Sequence, residues 1–146
     1  MLLETLYSML ATLGFGVIFN IRGKNLFFAS LGGAIAWFSY MFFQEINFSI
    51  TTANFMASII IGIYSEVMAR INKAPVTVYV ICSLIPLVPG GGMYYTMFES
   101  ITGSLDKALK LGVETLSSAG ALATGVLLTS SISRLLIQTK EKRKNY

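Results

Sequence analysis

A chain of 146 residues with 54% apolar residues, 12% charged residues and a mean hydropathy of +0.67 has too little polar surface for a soluble domain of its size, and reads as a membrane protein. Its net charge of +4 does not point to nucleic acid, because the basic residues gather at segment ends and in the tail, where the positive-inside bias places them. The single cysteine, Cys82, lies in an apolar run and there is no histidine, so no intrachain disulfide, metal site or cofactor is expected.

In chain order, the charged residues cut the sequence into apolar segments near the ~20 residues that cross about 30 Å of hydrocarbon. Met1-Leu-Leu-Glu4 lacks the basic region and cleavage site of a signal peptide, so the first run, residues 2–21, is expected to remain as a span ended by Asn20-Ile-Arg-Gly-Lys24. The second span, 25–43, carries a small-residue patch at Gly32, Gly33, Ala34 and Ala36 that admits a close neighbour. In the third, 50–71, Asn54, Ser58, Gly62 and Ser65 or Glu66 share one helical face and form a polar stripe.

The fourth span, 76–101, opens behind Pro75 and is interrupted. Leu84-Ile-Pro-Leu-Val-Pro-Gly-Gly-Gly-Met-Tyr-Tyr95 holds two of the three prolines and three consecutive glycines, which no continuous helix would choose. The spacing predicts a helix broken at Pro86–Gly92. Val76 to Leu87 spans about 18 Å at the helical rise, which puts the break near the middle of a bilayer. Non-helical backbone at that depth is tolerated only where protein or a polar cavity covers it.

Ile101 to Gln138 is too long for one crossing, so 104–111 is expected to form a short amphipathic helix at the interface, ended by Gly112, before a fifth span at 114–137 and a basic cytoplasmic tail at 138–146. These five spans make one transmembrane domain. They put Arg22, Lys24, Arg70, Lys73, Lys140, Lys142, Arg143 and Lys144 on one side and only Lys107 and Lys110 on the other, so the N-terminus is expected outside and the C-terminus in the cytoplasm.

The break defines the candidate binding site. A half-helix that starts inside the protein aims unpaired amides and a positive dipole end at its surroundings, and the glycines let a carboxylate approach the backbone. Carbonyls just before the break suit an ammonium group. The expected substrate-binding set is Pro89, Gly90, Gly91 and Gly92 with Asn54, Ser58 and one of Tyr94 and Tyr95, whose side chains point in different directions.

A kink that only aids packing is the competing reading of the break. Asn54 and Ser58 either line a cavity or bond a neighbouring helix. Glu66 and Glu99 are the candidates for proton or cation coupling, although Glu66 also stands four residues from Arg70, the spacing of a helix-surface ion pair. The four-residue spacings of Gly120 with Thr124 and Ala121 with Gly125 read as packing. Nothing resembles a nucleophile elbow, a phosphate-binding loop or a catalytic carboxylate pair, so an enzyme is not expected.

Pro86-Leu-Val-Pro-Gly-Gly-Gly-Met-Tyr-Tyr95, Gly103-Ser-Leu-Asp-Lys-Ala-Leu109 and the small-residue last span resemble the C-terminal half of the threonine/serine exporter family, in its small free-standing form. The resemblance covers essentially the whole chain, departing in the full glycine run and the second tyrosine. It implies a bacterial inner-membrane subunit of a secondary transporter that exports threonine and serine, or a related small carboxylate such as succinate. A second multi-span unit of the same family, or another copy of this chain, is the implied partner. The alternatives are a homo-oligomeric channel and a non-transporting assembly subunit.

Overall fold

The computed structural model describes residues 1–103 and 105–144, with side chains to Leu135, and every element among them is helical. Helix α1 covers Leu2–Ile18, α2 Lys24–Glu45, α3 Ile50–Asn72, α4 Val76–Leu84, α5 Gly90–Thr102 and α6 Leu105–Lys144, with one 3₁₀ turn at Ile85–Leu87. The ends follow local chemistry. Ser49 caps α3 by accepting the Thr52 N–H at 3.2 Å, and the left-handed residues Lys73 and Gly103 close α3 and α5.

The packing is inside-out relative to a soluble protein. In α1 the buried positions are Ser8, Thr12 and Gly16, while Leu2, Leu3 and Ile18 are among its most exposed residues. In α2 the buried face is Ala29, Ser30, Gly32, Gly33, Ala34, Ala36 and Ser39. Small residues inside and large apolar residues outside are what association within lipid selects, because tails solvate leucine as well as a protein core does.

The small residues permit close approach. A Cβ on Gly33 would strike Thr12, and Ser8 Oγ donates to the Gly33 carbonyl at 2.8 Å, locking α1 to α2. The central helix α2 then packs on both α3 and α4, where Tyr79 donates to Asn25 Oδ1 at 2.7 Å and Tyr64 to the Phe28 carbonyl at 2.7 Å. Helix α3 packs along α6, whose buried residues Ala108, Thr115, Ser118, Leu122, Thr129 and Ser133 recur at helical spacing on one face.

Helices α2, α3 and the Leu105–Leu135 part of α6 are each long and apolar enough to cross a membrane. The pair Val76–Leu87 and Gly90–Thr102, bent by 47°, counts as a fourth crossing if taken as one broken span. Helix α1 is apolar but has only 17 residues, about 26 Å.

One expectation is corrected. No separate interfacial helix covers 104–111 and Gly112 ends nothing, because α6 runs unbroken from Leu105 through Gly112. A mid-helix glycine is unfavourable by about 1 kcal/mol relative to alanine. Here it sits at a close helix contact, since a Cβ on Gly112 would lie 3.4 Å from Thr96 Cγ2 of α5. The expected fifth span is thus the later part of one long helix whose beginning pairs with α5. Ser104 and the side chains of the basic tail, Lys140, Lys142, Arg143 and Lys144, lie outside the described residues.

Candidate functional site

The break forms where the sequence demands it. Pro86 and Pro89 remove two amides from the helical ladder. The chain tightens into the 3₁₀ turn at Ile85–Leu87, Val88 N–H donates to the Ile85 carbonyl at 3.2 Å, and Val88 goes extended with ψ 126°, as a residue before proline prefers. Helix α5 restarts at Gly90 with Pro89 as its cap residue and no capping side chain.

In the first turn of α5, Gly90 N–H reaches the Val88 carbonyl at 2.7 Å and Met93 N–H reaches the Pro89 carbonyl at 3.1 Å. The amides of Gly91 and Gly92 have no acceptor among the described residues. The space beside Gly90 and Gly91 is open, with no atom within 4 Å of a Cβ built on either. The first turn of α5 therefore presents backbone N–H groups and the positive end of its dipole to the space beside the break.

Three cavities adjoin around the break. One of about 460 Å³ is lined by Ser49, Ile50, Thr51, Pro89, Gly92, Leu111, Glu114, Thr115 and Ser118, which sets the exposed carboxylate of Glu114 in the same space as the start of α5. The second, of about 190 Å³, lies between Trp37, Tyr40, Ile50, Asn54 and the segment Pro86–Pro89, and shares Ile50 and Pro89 with the first. The third, of about 350 Å³, is lined by Glu4, Tyr7, Ser8, Ala11, Trp37 and Pro86 and shares Trp37 and Pro86 with the second. Relative to α3, the row sits toward the Ile50 end.

Two polar atoms on residues of the middle cavity stand out, both shielded from its interior by their surroundings. Trp37 Nε1 and Asn54 Oδ1 are both buried without a hydrogen-bond partner among the described residues, and Asn54 as a residue is only 4% exposed. An unmade buried hydrogen bond costs about 1–3 kcal/mol, so each calls for a physical reason. Ser65 Oγ is also buried and unpartnered, but Ser65 lines none of these cavities.

The expected site residues divide. Pro89, Gly92 and Asn54 line the cavities, and Gly90 and Gly91 stand beside them at the uncapped helix start. Ser58 does not: it is fully buried against Gly125 of α6, and its hydroxyl donates to the Phe55 carbonyl of its own helix at 2.7 Å. Tyr94 and Tyr95 sit on the exposed face of α5, with rings edge to face at 5.3 Å, and line none of the three cavities.

Glu66 accepts from Arg70 at 3.2 Å, and Arg70 also donates to Ser133 of α6, in an apolar groove between α3 and α6 remote from the break. Glu99 is half-buried on α5 and lines none of the cavities at the break.

Trp37 and Glu114 are the residues that sequence reasoning missed. Glu114 was hidden by the expected helix end at Gly112, which turned it into the headgroup end of a span. Its four-residue spacing to the buried Ser118 was the available signal. Trp37, the chain's one tryptophan, carries no motif, and only the packing of α2 against the break brings it there.

A family model described as "Threonine/Serine exporter, ThrE" matches residues 4–132. No solved structure matches the chain.

Proposed function

The chain belongs to the threonine/serine exporter family, and from that premise we propose that it is a subunit of a secondary transporter that exports small amino acids of the threonine and serine type, or related small carboxylates, across the bacterial inner membrane. The family assignment makes it a multi-pass membrane protein of transporter type. In the proposed arrangement α1, α2, α3, the α4–α5 pair and α6 each cross the bilayer, with the N-terminus outside and the C-terminus in the cytoplasm.

One observation carries the site: the uncapped start of α5 opens on a cavity that also holds a carboxylate. A zwitterion fits that pairing. Its carboxylate accepts from the free amides of Gly91 and Gly92, where the helix dipole adds to the attraction, and its ammonium group faces Glu114. Pro89 and Gly92 shape the wall between them. The break supplies the joint about which one unit rocks against a second, homologous or identical, unit to expose the cavity to either side.

Counterflow in proteoliposomes tests this reading. Saturable exchange of labelled threonine or serine, competed by the unlabelled amino acid, is the expected result with the chain alone or with its partner unit. A non-saturating ion current without exchange is the behaviour of a pore and would replace the carrier by a channel.

A further inference from the structure

Helices α3 and α6 come close where a Cβ on Gly62 would strike the Thr129 side chain, and beside that contact the larger residues leave a groove of about 290 Å³. Its walls are Ile59, Ile63 and Val67 of α3 and Leu128 and Ile132 of α6, at four-residue spacing on each helix. Both helices are long and apolar enough to cross a membrane, so this groove opens on lipid. Ile59 to Arg70 covers about 16 Å along the helix, half of the ~30 Å hydrocarbon core and hence the depth of one leaflet. Over that length the groove is a slot of about 18 Å² in section, whereas a helix about 10 Å across needs roughly 80 Å². One extended hydrocarbon chain fits the slot; a partner helix could lay only single side chains in it.

One end of the slot is charged. Arg70 is 52% exposed there, and its Nη2 donates to Glu66 and to Ser133, which leaves Nη1 and Nε without an acceptor among the described residues. Glu66 is only 15% exposed, so the guanidinium faces outward and the carboxylate does not. Lys73, one turn beyond Arg70, and Arg134, next to Ser133, are both exposed, so three cations stand against one carboxylate near the ends of two membrane-length helices. That is the level of lipid headgroups, and a planar guanidinium matches a phosphate.

We propose that this groove binds one anionic phospholipid: an acyl chain lies along Ile63, Val67 and Ile132, and the headgroup phosphate accepts from the N–H groups that Arg70 has free. The site lies outside the transport reading, since the groove is remote from the break. A zwitterionic lipid also fills the slot but carries no net charge for the cations to attract, and each basic side chain near the surface favours an anionic lipid about fivefold.

Native mass spectrometry of the full chain in detergent, delipidated and then mixed with phosphatidylglycerol and phosphatidylcholine of the same acyl chains, tests this. The expected result is one phosphatidylglycerol per chain, preferred at least about tenfold and retained against excess glycerol 3-phosphate, a soluble headgroup without a chain. Ile63→Trp fills the slot from a position that is 54% exposed, and should lower retention of phosphatidylglycerol at least about fivefold. Glu66→Gln and Arg70→Gln together, which strand no carboxylate, should lower it about tenfold.

Equal retention of the two phospholipids, or release of phosphatidylglycerol by glycerol 3-phosphate, overturns the proposal on the native chain alone. Retention undiminished in Ile63→Trp also overturns it and moves the lipid to another face. Dimers that Ile63→Trp dissolves, with no lipid bound, would overturn it and give the groove to a second copy of the chain.

Discussion

Ser58 of α3 lies directly against Gly125 of α6, so closely that a Cβ on Gly125 would strike the Ser58 hydroxyl and approach the Phe55 carbonyl oxygen to 3.0 Å. Side chains can turn away, but a backbone carbonyl inside a helix cannot. Gly125→Ala is therefore expected to separate α3 from α6 and to destabilise the protein by about 1–3 kcal/mol, the range for overpacking a tight interior. The measurement is the thermal unfolding midpoint in detergent. Ser58→Ala, which removes only a bond to its own helix, should leave amino-acid exchange unchanged. Loss of exchange in Ser58→Ala would return Ser58 to the binding site.

The start of α5 allows a backbone amide to be deleted selectively. Gly91 has open space around it, so Gly91→Ala should fold and transport as the native chain does. Gly91→Pro removes the N–H in the first helical turn, where proline is best tolerated. If that amide holds the substrate carboxylate, the half-saturating concentration should rise about tenfold, matching the roughly 1.5–3 kcal/mol of a hydrogen bond to a charged group. Equal kinetics of the two variants would remove the carboxylate from this helix end.

What was legible in the sequence followed from covalent constraint. Two prolines and three glycines cannot form an unbroken helix, and the chain breaks within two residues of where they stand. The charge-marked turns also gave α2 and α3 to within two residues at either end. What could not be read was set by tertiary contact. Gly112 looks like a helix end until α5 packs on it, and Ser58 is as polar as Asn54 although one meets a glycine and the other a cavity. The inward-facing small residues of α1 were likewise invisible, because α1 is apolar on almost every other side.

Tyr79 and Asn25 form a partly buried hydrogen bond that ties the start of α4 to the start of α2. Tyr79 is fully buried while Asn25 is only half-buried, so Tyr79→Phe removes one hydrogen bond without stranding a buried acceptor and is expected to cost about 0.5–1.5 kcal/mol. A double-mutant cycle with Asn25→Ala should recover a coupling of at least ~0.5 kcal/mol, the lower bound for residues in direct contact. Purely additive losses would show that the ring of Tyr79 contributes by packing alone.

Membrane orientation is open to chemical labelling because the one native thiol, Cys82, is fully buried and gives little background. Lys24→Cys at the start of α2, next to the α1–α2 turn, and Lys107→Cys in the first turn of α6 are both exposed positions. In intact cells an impermeant maleimide is expected to modify Lys107→Cys, and Lys24→Cys only after the membrane is opened. The reverse pattern would invert the topology. Labelling of both from outside would mean that α1 and α2 do not bracket a cytoplasmic turn.

Glu114 and Glu66 give the sharpest contrast between a carboxylate that binds cargo and one that holds helices. Glu66 is committed to Arg70 at 3.2 Å, and that guanidinium reaches on to Ser133, so Glu66→Gln should shift stability slightly and leave substrate preference alone. Glu114 shares its cavity with the free amides of α5 and makes no ion pair among the described residues. If it faces the substrate ammonium, Glu114→Gln should weaken threonine about five- to tenfold, less than a buried charge pair because water reaches this side chain. The analogue with a hydroxyl in place of the α-ammonium should bind Glu114→Gln at least as well as it binds the native chain, since the variant removes a carboxylate that repels it. Competition against labelled threonine measures both affinities. A parallel loss for the two ligands would mean that Glu114 shapes the cavity without touching the amine, and the ammonium would then have to be met by the carbonyls of Pro86 and Leu87, which receive no amide from the turn that follows them.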